Sequence, residues 1–296
     1  MKSVKKIVKT IPALLAAASL IALAACRQYS FYPDGLDAYE LNGAVISEEQ
    51  KEEITIGGAT FQAMSFSDGD FSMKYRIYVP ESGAKSQNPM PVLLFFHGAG
   101  ERGDDNCSQL SYAGLDYIFA EDSPSLNAIV IAPQCPENYK WVDVPSWSDC
   151  RYSTQKIAES KPLSSVLKIL KYTTDIYNTD ENRIYSMGMS MGGYATWDLL
   201  VRHGDFIAAA VPICGGCDVS KAELIKDIPI YTFHGTADAV VPADGTVKMV
   251  SELERLNNDN IIYVEYEGSG HDIWNKALKT QGLIQWLFGQ SLSKRP

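Results

Sequence analysis

Three residues, taken in chain order, have the types needed to open a carbonyl: Ser190, Asp238 and His271. A serine hydroxyl is a poor nucleophile at neutral pH. It needs a base to take its proton and a carboxylate to orient that base. Ser190 lies in Gly188-Met189-Ser190-Met191-Gly192-Gly193, a G-x-S-x-G. Residues 183–187 before it read as a strand, and residues 194–201 after it as a helix. A serine at such a corner sits on a sharp turn with its hydroxyl presented. The glycines are needed because a Cβ there would meet the neighbouring strand or helix. With 22 glycines in the chain, the five letters recur by chance, so the partner residues decide.

The chain has four histidines: His97, His203, His234 and His271. His271 lies in Glu267-Gly268-Ser269-Gly270-His271-Asp272, directly after the last strand pattern, where glycines let a loop fold back. It is the candidate base. His97 and His234 each open an HG turn at a strand end and read as structural. His203 reads as a residue near a helix C-terminus, beside Gly204. Asp238 follows His234 by four residues and gives the order Ser, Asp, His expected of a strand-to-helix nucleophile. Asp244 and Asp272 compete for the acid role. Asp244 reads as a helix cap, and Asp272 points away from its neighbour.

Acyl transfer also needs two N–H groups for the developing oxyanion. The amide of Met191, at a helix start, is one candidate. The other lies in His97-Gly98-Ala99-Gly100-Glu101-Arg102-Gly103. Ala99 is favoured there, with Gly100 as the substitute. No metal or organic cofactor is required.

The elements that must hold these residues alternate. Residues 60–64 and 71–79, around a turn at 67–70, read as antiparallel edge strands. Apolar strands follow at 92–96, 128–132, 184–187, 208–211, 228–233 and 261–266. Helical patterns occupy 163–177, 194–201, 245–256 and 273–288. Continuous apolar strands between helices predict a doubly wound, mostly parallel α/β sheet covered on both faces.

The N-terminus reads as an export signal. Lys2, Lys5, Lys6 and Lys9 precede an apolar run from residue 11 to 25, short of the ~20 residues of a membrane span. The run ends in Leu23-Ala24-Ala25-Cys26, which resembles a lipobox with Cys26 as the lipidated residue. Ordinary cleavage and secretion is the alternative. The predicted organisation is a signal over 1–25, a tether over 26–53 and a catalytic domain over 54–296. The protein is then exported and held on the cell envelope by its lipid. Beyond residue 25 the chain carries 22 basic and 36 acidic residues. That acidity disfavours nucleic acid as a partner. Cys107, Cys135, Cys150, Cys214 and Cys217 remain, an odd number. At most two disulfides form, and the spacing leaves the pairing open. Cys214-Gly215-Gly216-Cys217 lacks the second pair of a zinc site.

The blocks 96–103, 131–136, 182–194 and 268–274 resemble a bacterial α/β-hydrolase family. It is the exported phospholipase/carboxylesterase-like or "predicted peptidase" group, related to feruloyl and acetylxylan esterases and to polyhydroxyalkanoate depolymerases. The resemblance runs from about residue 60 onward. It implies ester hydrolysis by Ser190, His271 and Asp238. The expected substrate is a small or polysaccharide-linked ester, with plant polysaccharide favoured. Aromatics between Asn138 and Cys150, including Trp141 and Trp147, read either as a stacking platform or as packing under a loop. A serine peptidase of prolyl-oligopeptidase type and a non-catalytic binding lipoprotein are the rival readings.

Overall fold

The computed structural model describes residues 38–41, 43–80, 88–112 and 114–295. The signal over 1–25 and Cys26 lie outside the described residues.

The elements run β1 (Ala38–Leu41), β2 (Ala44–Glu48), β3 (Ile54–Ile56), β4 (Ala59–Asp68), β5 (Phe71–Tyr78), β6 (Met90–Phe96), α1 (Leu115–Ile118) and β7 (Ile129–Gln134). They continue with α2 (Lys161–Ile176), β8 (Thr179–Met189), α3 (Met191–His203), β9 (Ala209–Ile213), β10 (Ile230–Gly235), α4 (Asp244–Arg255), β11 (Ile261–Tyr266), α5 (Trp274–Leu278) and α6 (Leu283–Phe288). The sheet order is β1-β2-β4-β5-β7-β6-β8-β9-β10-β11, with β3 paired to β4. From β7 to β11 all neighbours are parallel, and the N-terminal strands join antiparallel through β5 and β7.

Period two explains the layering. Along β6, Val92, Leu94 and Phe96 enter one core, while Leu93 and Phe95 enter the other. The first core takes Leu163, Val166 and Ile169 of α2, Leu199 of α3 and Leu253 of α4. The second takes Leu115 of α1 and Leu283 and Leu287 of α6. β6, β7 and β9 are buried along their whole length, as strands covered on both faces must be. α2 starts at a serine cap: the Ser160 hydroxyl accepts from the Leu163 amide at 3.2 Å, with Pro162 in the first turn.

Three expectations change. The sheet takes in residues 38–41 and 44–48, which the sequence assigned to the 26–53 tether. A strand pair flanked by turn residues is hard to read when one strand has only four residues. β4 and β5 therefore lie inside the sheet rather than at its edge. The single helix expected over 273–288 is two, because Gly282 takes φ +78° and breaks it.

The chain leaves β6 for β7 on one side, then crosses to β8 on the other. Such a reversal opens a crevice at the carboxyl ends of the two diverging strands. The loop after β6 and the turn after β8 both end there.

Candidate active site

Ser190 occupies the turn between β8 and α3 at φ +55°, ψ −118°, a strained conformation for a side-chain-bearing residue. Its amide bonds to the Ile213 carbonyl at 2.9 Å, and its carbonyl receives the Tyr194 amide at 3.1 Å. The turn is tight because α3 presses on β6. A Cβ on Gly192 would stand 2.1 Å from the Phe96 carbonyl oxygen, and one on Gly188 would stand 2.3 Å from that of Gly192.

The structure brings the three sequence-selected residues into one hydrogen-bonded chain. His271 Nε2 lies 2.7 Å from Ser190 Oγ, and His271 Nδ1 lies 2.7 Å from Asp238 Oδ2. A carboxylate only accepts, so Nδ1 carries the proton and Nε2 is free to take the serine's. Asp238 is held on both oxygens. Its Oδ1 accepts from the amides of Val240 and Val241, each at 2.9 Å. Burial alone would raise this carboxyl's pKa. Hydrogen bonds from His234, His271 and the Val241 amide outweigh it and hold the group well below the usual carboxylate range. The competing Asp244 lies on the surface, paired with Arg151 and Lys248. It stands in the first turn of α4, with Ala243 at the cap position that the sequence gave to Asp244. His203 pairs with Glu159.

The loop after β6 is clamped at several points. His97 is fully buried. Its Nε2 accepts from the Cys135 amide at 2.9 Å, so its Nδ1 carries the proton and donates to the Gly98 carbonyl at 2.6 Å. Burial lowers the His97 pKa to about 4, which keeps the ring neutral. The Gly98 amide donates to the Tyr112 hydroxyl, which donates in turn to Glu101. Arg102 Nε donates to the Ala99 carbonyl at 2.9 Å. The amide of Gly98 is thus taken up. The Gly98–Ala99 peptide is trans, so with its carbonyl turned to His97 its N–H points the other way. Ala99 opens a short 3-10 turn and Met191 opens α3. Both amides therefore stand at helix starts, where no intrahelical partner is available.

Several contacts escaped sequence reading. His234 bonds through Nδ1 to Thr246 at 2.8 Å and through Nε2 to the Val241 carbonyl at 2.9 Å, and also lies against Asp238. The four-residue spacing of His234 and Asp238 was the available signal. Tyr112 carried no signal. Cys214, at φ +40°, lies beneath the elbow, within 4.8 Å of the Asp238 and His271 donor atoms. Burial pushes its thiol well above the ordinary range, so it stays protonated. All five described cysteines are free thiols. Trp141 is core: its Nε1 donates to the His97 carbonyl at 3.2 Å. Trp147 is half-buried, with Lys140 4.7 Å above its ring. Neither forms an open platform.

A mostly parallel sheet whose switch point carries an elbow serine, bonded to a histidine–aspartate pair, defines the α/β-hydrolase class of fold. The chain belongs to the phospholipase/carboxylesterase family, whose profile matches residues 80–282. It is 26% identical over 170 residues to acetylxylan esterase A of Emericella nidulans, covering 56% of this chain and 51% of that protein. It is 37% identical over 168 residues to a bifunctional acetylxylan esterase/xylanase of Neocallimastix patriciarum, covering 56% of this chain and 21% of that one. The chain thus spans about half or less of these curated relatives. A thermostable esterase superposes with a TM-score of 0.70 at 38% identity, over 78% of this chain and 63% of its own. An S-formylglutathione hydrolase from Agrobacterium tumefaciens shares the fold, with a TM-score of 0.56 at 13% identity over 81% of this chain and 98% of its own.

Proposed function

We propose that the protein is a serine carboxylic-ester hydrolase acting through an acyl-enzyme, with Ser190 as nucleophile, His271 as base and Asp238 as orienting acid. The observation that carries this reading is the unbroken chain from Ser190 Oγ through both nitrogens of His271 to Asp238, each link 2.7 Å. Ser190 attacks the ester carbonyl while His271 takes its proton. The amides of Ala99 and Met191 hold the oxyanion. His271 then protonates the leaving alcohol, and water repeats the sequence on the acyl-enzyme. The test is hydrolysis of p-nitrophenyl acetate by wild type and Ser190→Ala. We expect a loss of roughly 10⁴-fold or more in kcat; equal rates would overturn the assignment.

The substrate class we propose is an acyl or feruloyl ester of plant polysaccharide. The names of the acetylxylan esterase relatives support it. No release of acetate or ferulate from acetylated or feruloylated xylan, with p-nitrophenyl acetate still cleaved, would remove it. We further propose export and lipid anchoring through Cys26. Palmitate labelling lost in Cys26→Ser is the expected result, and labelling that persists refutes the anchor.

A further inference from the structure

Among the described residues are two cavities of several hundred Å³ that differ in their place on the sheet. The larger, about 470 Å³, is lined by Leu167, Leu170, Asn182 and Phe206 among others. Asn182 stands near the amino end of β8, eight residues before Ser190. At about 3.3 Å per residue that is roughly 26 Å away, at the opposite edge of the sheet. This cavity cannot serve the elbow.

The second, about 330 Å³, is lined in part by Ser72, Lys74, Asp104, Glu137, Asn138 and Tyr139. These residues come from β5, the loop after β6 and the loop after β7. Lys74 pairs in register with Gln134, the last residue of β7. The cleft therefore opens on the same edge of the sheet as Ser190. It lies two to three strands across, on the order of 10–14 Å at about 4.8 Å per strand. That is the span of a few sugar residues in an extended chain.

We infer that this cleft binds the neutral pyranose chain that carries the ester. The inference rests on the polysaccharide reading above. Ser72, Asp104, Glu137 and Asn138 are exposed. Among the described contacts their side chains make no hydrogen bond within the protein, which leaves hydroxyl, carboxylate and amide groups for sugar hydroxyls. Tyr139 is half-buried and braced edge-on by Phe71, with ring centres 5.1 Å apart, which fixes an aromatic wall for a pyranose face. Lys74, the cation in the lining, is already paired with Glu49, while Asp104 and Glu137 are exposed acids, a balance that suits a neutral chain better than an anionic one. Arg102 couples the cleft to the reacting centre. One of its nitrogens holds the Ala99 carbonyl, and another donates to the Glu137 and Tyr139 carbonyls at 3.1 and 3.4 Å.

The test uses the Ser190→Ala protein, titrated calorimetrically with unacetylated xylohexaose. Adding Glu137→Ala with Asn138→Ala, or Asp104→Ala, should weaken binding at least tenfold. Adding Glu181→Ala, in the opposite cavity, should not. With Ser190 restored, the cleft variants should lose at least tenfold in kcat/KM on acetylated xylo-oligosaccharide relative to p-nitrophenyl acetate, through KM. No binding by the Ser190→Ala parent, or an equal Kd in the cleft variants, overturns the inference. Failure of the esterase reading is distinguishable: xylohexaose would bind while wild type left p-nitrophenyl acetate uncleaved.

Discussion

His234 Nε2 lies 3.3 Å from Asp238 Oδ2, the oxygen that also receives the Nδ1 proton of His271. The nearer neighbour of that nitrogen is the Val241 carbonyl at 2.9 Å, an acceptor, so Nε2 carries a hydrogen, donates it to that carbonyl and sets the N–H dipole beside the carboxylate. With two amides on Oδ1, the carboxylate is fixed in plane and in tilt.

His234→Phe keeps the ring's bulk and removes the donor. We expect kcat on p-nitrophenyl acetate to fall roughly 10- to 100-fold, with KM little changed, because misplacement of the orienting group acts on the chemical step. His234→Gln, which retains an N–H donor, should recover most of the loss. Equal losses in the two variants, or an effect confined to KM, would argue for simple packing.

Tyr112→Phe leaves the Gly98 amide and Glu101 without their shared hydroxyl. Unfolding in urea should show a cost of about 1–3 kcal/mol for the buried groups left unpaired. The loop proposed to hold the oxyanion loses one clamp, so kcat should fall on the order of tenfold, less than removal of a whole donor. Unchanged kcat would place the clamp outside the reaction.

Backbone strain at Ser190 separates two variants that both lack the proposed nucleophile. At φ +55° a Cβ is unfavourable and glycine is not. Ser190→Gly should therefore be about 1 kcal/mol more stable than Ser190→Ala. Urea titrations of the two proteins measure the difference, and the reverse order would exclude strain at the elbow.

The pH dependence of stability carries a contribution from His97. Burial lowers its pKa from 6.5 to about 4. Between those values the unfolded chain binds a proton that the folded one refuses, so stability falls as pH drops through this window. Below about pH 4 both states are protonated and the loss is complete, amounting to about 3 kcal/mol. In His97→Asn, which keeps a donor for Gly98 but does not titrate, the drop between pH 7 and pH 4 should be smaller by about that amount. Parallel urea titrations at the two pH values decide it; identical drops would mean that His97 charges as readily in the fold as outside it.

The elbow, the base loop and the HGxG segment were legible because each is local: glycines and the reactive residue fall within a few positions. The order of the three residues then followed from the alternation of strands and helices. What escaped is non-local. Tyr112 reaches Gly98 across fourteen residues, with no pattern marking the contact. Trp141 gave no sign that it would pack on His97 rather than face solvent. The apolar spacing of Trp274, Ala277, Leu278, Leu283 and Leu287 fits one helix as well as two, and only the left-handed Gly282 separates them.

Arg102 grips the 137–139 loop by main-chain carbonyls alone. A grip on backbone is indifferent to side-chain identity. Residues 137 and 138 can therefore be exchanged by drift or by a protein engineer while the anchoring of the loop stays the same. If the cleft holds the sugar chain as inferred above, the fold separates what is grasped from how it reacts, and new substrate preferences are within reach of single codons.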